Sequence, residues 1–204
     1  MDARAHWEQV YATKDPQQVS WFRPHLERSL ELIQRAAPDR RASIVDVGAG
    51  QSTLVEDLVG LGYGSVTVLD ISQTALDGLK RRVGKAGAAV RWICGDVTET
   101  ALPEAAFDLW HDRAVFHFLT EPGQRRAYVE SAMRALKPGG SLIVSTFGPS
   151  GPERCSGLVT MRYDASSLGG ELGDRFSLVE SSLELHATPS RAEQQFLSCW
   201  YRFS

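Results

Sequence analysis

Apolar residues along this chain fall into two kinds of run. The segments 43–47, 65–70, 89–94, 107–110 and 141–146 are short and nearly continuous in apolar character. A strand that is apolar throughout, rather than at alternate positions, is one buried on both faces, as in a parallel sheet. Between these runs, segments 53–59, 73–83 and 124–136 read as helices. The last of them carries Tyr128, Met133 and Leu136 on one face. Lys137-Pro138-Gly139-Gly140 then supplies a glycine stop and a proline breaker. Segments 178–186 and 194–203 read as a final pair of strands turning around Pro189. Strands alternating with helices predict an α/β fold: a doubly wound, mostly parallel sheet covered on both faces.

Ahead of the first strand the pattern is helical. Trp7, Val10 and Tyr11 mark a short amphipathic helix over 2–13. Ser20-Trp21-Phe22-Arg23-Pro24 leads into a second helix, with Pro24 near its first turn. Leu26, Leu30 and Ile33 line one face of that helix, and Pro38 ends it. The expectation is a helical cap over 1–40 and a core over 41–204. The 204 residues suit one domain.

Composition narrows the partners. The formal net charge is −3, and the one dense basic run, Lys80-Arg81-Arg82, sits on a predicted surface helix. Nucleic-acid binding normally needs a basic footprint, so no nucleic-acid partner is expected. Cys94, Cys155 and Cys199 are too widely spaced for a zinc pattern and suit a reducing compartment; no metal is expected. The chain shows neither an apolar leader nor a run of about 18 apolar residues. A cytoplasmic location without membrane partners is the expectation.

The strand ends carry the chemistry. The first runs Ser43-Ile44-Val45-Asp46-Val47-Gly48-Ala49-Gly50-Gln51-Ser52. Its glycines allow a sharp turn and let a ligand lie against bare backbone. Ser52 is placed to cap the next helix. Asp70 ends the second strand, twenty residues after Gly50, where an acid can accept both ribose hydroxyls of a nucleotide. The third strand ends in Gly95-Asp96-Val97.

This ordered set resembles the cofactor motifs of class I, seven-β-strand S-adenosylmethionine-dependent methyltransferases. The resemblance implies a Rossmann-like sheet of seven strands with an antiparallel closing strand and the N-terminal helical cap. It implies S-adenosyl-L-methionine as cofactor. Asp46, Gly48 and Gly50 are then expected on its methionyl part, Asp70 at the ribose, and Asp96 and Val97 at the adenine, with Ile71 also among the cofactor-binding residues. Asp112 joins this cofactor set. Ser52 stands where the family often has a third glycine. A nicotinamide oxidoreductase also carries the ribose acid but has no requirement for Asp46 or Asp96.

The fourth strand ends in Trp110-His111-Asp112-Arg113-Ala114-Val115-Phe116-His117. Buried charge is costly, so these groups pair with one another or face a cleft. His111 and His117 are candidate bases because histidine titrates near neutrality. Arg113 is a candidate for stabilising an anionic acceptor. A Gly/Pro-rich loop over 147–158 follows the fifth strand, and its Cys155 reads as an inert thiol. Trp7, Tyr11, Trp21 and Phe22 are either cap packing or a wall beside a sulfonium, with cation–π attraction on the order of 1 kcal/mol. Asp112-Arg113-Ala114 resembles the corresponding segment of thiopurine-type small-molecule methyltransferases and, more loosely, the Asp-Lys-Gly segment of protein-lysine methyltransferases. The expectation is an enzyme transferring a methyl group to a small-molecule acceptor such as a thiol. Alternatives are a protein lysine as acceptor, or a non-catalytic cofactor-binding partner subunit.

Overall fold

The computed structural model describes residues 2–204. Two helices, α1 (Ala3–Thr13) and α2 (Glu27–Ala36), precede the first strand. The alternating stretch is β1 (Ser43–Val47), α3 (Leu54–Gly60), β2 (Ser65–Asp70), α4 (Gln73–Val83), β3 (Arg91–Cys94), β4 (Phe107–Arg113), α5 (Pro122–Ala135) and β5 (Leu136–Phe147). A two-residue hairpin pair, β6 (Arg154–Cys155) and β7 (Leu158–Val159), leads to α6 (Ala165–Leu172). The chain closes with β8 (Phe176–Ala187) and β9 (Glu193–Phe203). The seven-stranded sheet has the order β3-β2-β1-β4-β5-β9-β8. Strands β1 to β5 pair in parallel, whereas β9 is antiparallel to β5 and β8 to β9.

Both faces of β1, β2, β4 and β5 are largely buried, which accounts for their continuous apolar runs, whereas the edge strand β8 is largely exposed. Val45, Val47, Trp110 and Leu142 pack into one cluster with α5 and α6. Their neighbours Ile44, Leu109 and Ile143 pack into another with α2, α3 and α4. Successive residues of a strand point to opposite faces, so each strand feeds both layers. The chain builds outward from β1 to β3, then returns to place β4 on the other side of β1. Helices on either side of such a reversal diverge, leaving a crevice beyond the strands' carboxyl ends.

Several local expectations change. α2 starts after Leu26, leaving Pro24 outside the helix. Ser52 does not cap α3: Thr53 holds that position without a side-chain bond, and Glu56 and Asp57 supply negative charge to the first turn instead. β3 starts at Arg91 rather than 89. Lys137-Pro138-Gly139-Gly140 lies inside β5 rather than in a turn after α5. α5 passes directly into extended backbone at Leu136, and Gly139 takes φ +77. The register with β4 shifts between Phe107 and Leu109, and Lys137 Nζ pairs with Asp108 at 2.8 Å beside the shift. β4 itself runs on to Arg113, so His111 and Asp112 are strand residues. α6 has no counterpart among the helices the apolar pattern predicts, although Asp164 and Ser167 form a capping box at its start. Gly169 and Gly170 within it weaken the helical signal.

Among the described residues no helix is long and apolar enough to cross a membrane.

Candidate active site

The crevice is a cavity lined on one side by strand ends and on the other by α1, the segment joining it to α2, and the loop after β4. Of the sequence-predicted residues, Asp46, Gly48, Asp70, Ile71, Asp96, Val97, His111, Arg113 and His117 line it. Gly50 sits beside it. Positive φ at Gly48 (+65) and Gly50 (+55) lets the chain turn back over β1. A β-carbon at Gly48 would overlap Val115 Cγ2, and one at Gly50 would overlap the Tyr11 hydroxyl. The turn therefore needs glycine for both conformation and close approach.

Asp70 holds this turn. Its Oδ2 accepts from the Gly50 N–H at 2.7 Å and its Oδ1 from the Ser72 N–H at 2.8 Å. Each carboxylate oxygen keeps a further lone pair for a ligand hydroxyl. Burial pushes the Asp70 pKa up to about 6, against the lowering effect of these two amides. Asp96 Oδ1 accepts from the Thr98 N–H and hydroxyl at 2.8 and 2.7 Å, which fixes the turn after β3.

Asp46 is buried and only half satisfied. A carboxylate only accepts, so His111 Nδ1–H donates to its Oδ1, at 2.7 Å. His111 Nε2 is in turn engaged by the Ser29 hydroxyl at 2.9 Å. The other oxygen, Asp46 Oδ2, is buried without a partner. A base must offer a free nitrogen, and His111 has none. The geometry corrects its reading as a base and makes it the residue that orients Asp46. Ser29, 82 residues earlier in the chain, carried no sequence signal for this role.

Asp112 is also corrected. It is fully buried and does not line the cavity. Its Oδ1 accepts from the Val115 N–H at 2.9 Å, and its Oδ2 accepts from the Phe116 N–H at 3.1 Å and the Tyr128 hydroxyl at 2.8 Å. The Tyr128 oxygen accepts from Trp110 Nε1 at 2.9 Å. This network orders the sharp bend after β4, where Ala114 takes φ +73, uncommon for a residue with a side chain. Asp112 thus shapes the cavity wall without lining the cavity. Asp112 and Arg113 form no ion pair with each other among the described residues.

Arg113 and His117 meet at the aromatic end of the cavity. The Arg113 guanidinium lies 4.6 Å from the Phe196 ring centroid, and Nη1 donates to the Trp21 carbonyl at 3.3 Å. Nη2 is buried without a partner. Burial lowers the Arg113 pKa to about 10, which leaves it cationic at neutral pH. His117 stacks on Phe147 at 4.3 Å, and its Nδ1 accepts from the Phe147 N–H at 3.1 Å. Burial, with Arg113 nearby, pushes its pKa down to about 3. The ring is therefore neutral, with its proton on Nε2, and that N–H is buried without a partner. His117 is a donor, which corrects its reading as a base. Cys155 is buried and its pKa is raised by that burial, in keeping with an inert thiol.

α1 roofs the cavity with Trp7 and Tyr11. It is tied to the core by Glu8, which accepts from the Gln73 N–H at 2.6 Å, the Thr74 N–H at 3.2 Å and the Ser72 hydroxyl at 3.1 Å. An anion at the N-terminus of α4 satisfies unpaired amides and faces the positive end of the helix dipole.

The buried acids give a pH signature. Asp70 and Asp112 sit at about 6 in the fold, against an ordinary value of 3.8. From about pH 4 to 6 the native state holds protons that the unfolded chain has released. Stability therefore falls as pH rises through that window, and these groups add no further slope above it. Glu180 and Asp39, held at about 2 by arginine partners, act only at lower pH. Melting temperature measured from pH 4.5 to 7 is expected to show the fall, and Asp112→Asn to flatten part of it.

Residues 44–140 match a family model described as "Methyltransferase domain". A malonyl-[acyl-carrier protein] O-methyltransferase from Paenibacillus sp. is 31% identical over 130 residues, 61% of this chain and 46% of that protein. An eEF1A lysine and N-terminal methyltransferase from Bos taurus is 26% identical over 108 residues, 53% of this chain and 15% of that protein. The chain thus spans less than half the length of these curated relatives. Among solved structures, the N-methyltransferase NodS from Bradyrhizobium japonicum, in complex with S-adenosyl-L-homocysteine, has a TM-score of 0.75 at 18% identity. That match covers 100% of this chain and 99% of that one. The strand order and the turn after β1 thus belong to a class I, seven-β-strand S-adenosylmethionine-dependent methyltransferase fold. Residues 44–140, a little under half of the chain, are the part that matches the methyltransferase-domain model within that fold.

Proposed function

We propose that this chain binds S-adenosyl-L-methionine in the crevice and transfers its methyl group to a small-molecule acceptor, with 1–204 working as one unit and 1–40 as its cap. The observation that carries the reading is the unfilled acceptor at Asp46 Oδ2, buried beside the Gly48–Gly50 turn. A buried carboxylate oxygen without a donor is costly, and the cofactor's ammonium fits it in charge and hydrogen-bonding capacity. Asp70 is assigned to the ribose hydroxyls, Asp96 to the adenine amino group, and Ile71 and Val97 to the sides of the ring. When bound, the cofactor supplies an electrophilic methyl group on a sulfonium with a neutral thioether as its leaving group. The protein's own work is placement and exclusion of water, which can contribute about 7–11 kcal/mol in favourable cases.

A small acceptor fits the roof of α1 over the cavity better than a long surface lysine does. The similarity to the eEF1A lysine enzyme supports the lysine reading, but the buried Arg113 charge opposes bringing an ammonium beside it. Incubation with methyl-labelled cofactor across thiols, carboxylates, phenols, amines and candidate proteins tests the proposal. Label is expected in a small molecule; transfer only to protein lysines overturns the small-molecule reading.

α1 must move for the cofactor to enter beneath it, and Glu8 is its latch. Glu8→Ala is expected to speed S-adenosylhomocysteine dissociation by about tenfold, equivalent to losing roughly 1.4 kcal/mol. Stopped-flow fluorescence from Trp7 reads this directly, and an unchanged rate removes the latch.

A further inference from the structure

The aromatic end of the cavity presents donors and no base. Arg113 Nη2 and His117 Nε2 are both buried, both without partners, and both on residues lining the cavity. Arg113 leans over Phe196, and the His117 ring lies 6.5 Å from that same ring. The two donors therefore flank one aromatic cluster, which Phe147 and Phe118 extend: His117 packs against them at 4.3 and 4.5 Å. Glu184 acts on Arg113 electrostatically, yet the two form no ion pair among the described residues. No carboxylate pairs directly with the guanidinium among the described residues.

The groups able to take a proton here are accounted for. His111 has both nitrogens engaged. His117 offers only its N–H, because Nδ1 is filled by the Phe147 amide. Cys155 is a buried thiol whose one side-chain partner is Ser20, at 3.8 Å. With Asp46 and Asp70 assigned to the cofactor and Glu184 outside the cavity lining, an acceptor that must lose a proton finds no free side-chain acceptor at this end. One that arrives ionised brings its own lone pair and needs none removed.

Resting on the methyl-transfer reading above, we propose that the acceptor is an anion with a flat aromatic body: a carboxylate, thiolate or phenolate. Arg113 and His117 hold its charged atom, and Phe118, Phe147 and Phe196 pack its ring. Aromatic pairs favour edge-to-face and offset contacts of the kind these walls offer. A bidentate-capable guanidinium with a second N–H beside it matches the lone pairs of an oxygen or sulfur anion. An ammonium brings like charge to Arg113 and finds no acceptor on this side to pair with.

The test is calorimetric binding of benzoate, thiophenolate and benzylamine to the whole chain, with and without saturating S-adenosylhomocysteine. The two anions are expected to bind at least about tenfold tighter than the amine. Arg113→Met is expected to erase that preference, and Arg113→Lys to keep part of it, with S-adenosylhomocysteine affinity close to native in both. Benzylamine binding as tightly as the anions to the native protein overturns the proposal, whatever the variants do. Preference among the probes is read separately from cofactor binding. Failure to bind S-adenosylhomocysteine overturns the methyl-transfer reading, whereas normal binding of it with no anion preference overturns only this inference.

Discussion

Asp70→Ala is expected to lower S-adenosylhomocysteine affinity by at least about a hundredfold. Hydrogen bonds to a charged group contribute roughly 1.5–3 kcal/mol each, and two ribose hydroxyls are assigned to this carboxylate. The substitution also strips the Gly50 and Ser72 amides of their acceptor, so the turn after β1 loosens with the ligand contacts. Asp70→Asn separates the two effects. Its single carbonyl keeps one amide bonded while its NH₂ faces the other, so affinity is expected to fall with a smaller loss of melting temperature. Titration calorimetry and thermal melting on both variants check this. A folded Asp70→Ala protein with native affinity removes Asp70 from the site. Because the carboxyl sits at about 6, affinity is also expected to drop as pH falls below that value, where one oxygen becomes protonated.

Asp112→Ala is expected to act in the opposite way: a large stability loss with near-native cofactor affinity per folded molecule. It leaves the Val115 and Phe116 amides and the Tyr128 hydroxyl without their acceptor. A buried donor left unsatisfied costs about 1–3 kcal/mol. Removing the charge returns part of this, since a carboxyl held at about 6 marks an ion disfavoured by roughly 3 kcal/mol. Three donors outweigh one charge, and the net loss is about 3 kcal/mol. For a chain of this length that lowers the melting temperature by about 6–12 °C. Weakened cofactor binding at unchanged stability would instead return Asp112 to the cofactor set.

These two aspartates mark how far the sequence could be read. Both end apolar strands, and both are acids beyond which a ligand can lie. What separates them is where the oxygens point, and that depends on Tyr128 in α5 and the bend at Ala114. Neither leaves a trace in local pattern. The layered sheet was legible because each strand of β1 to β5 is apolar on two faces, and that requires cover on both. The glycines of the first turn were legible because only glycine tolerates the turn and the approach of Val115 and Tyr11. The Lys-Pro-Gly-Gly stretch misled because the same residues that stop a helix also suit a strand with a shifted register. α6 was hidden by its own glycines, and Ser29 by its distance along the chain from His111. Both histidines line the cavity, but their protonation behaviour depends on which nitrogen the backbone or a carboxylate has taken.

The residues around the crevice suit an adenosyl sulfur cofactor. Titration calorimetry of the whole chain with S-adenosylhomocysteine and, separately, NAD tests it most directly. One-to-one binding of S-adenosylhomocysteine and no heat of binding with NAD at equal concentrations are expected; saturable NAD binding with none for S-adenosylhomocysteine would overturn this reading of the crevice.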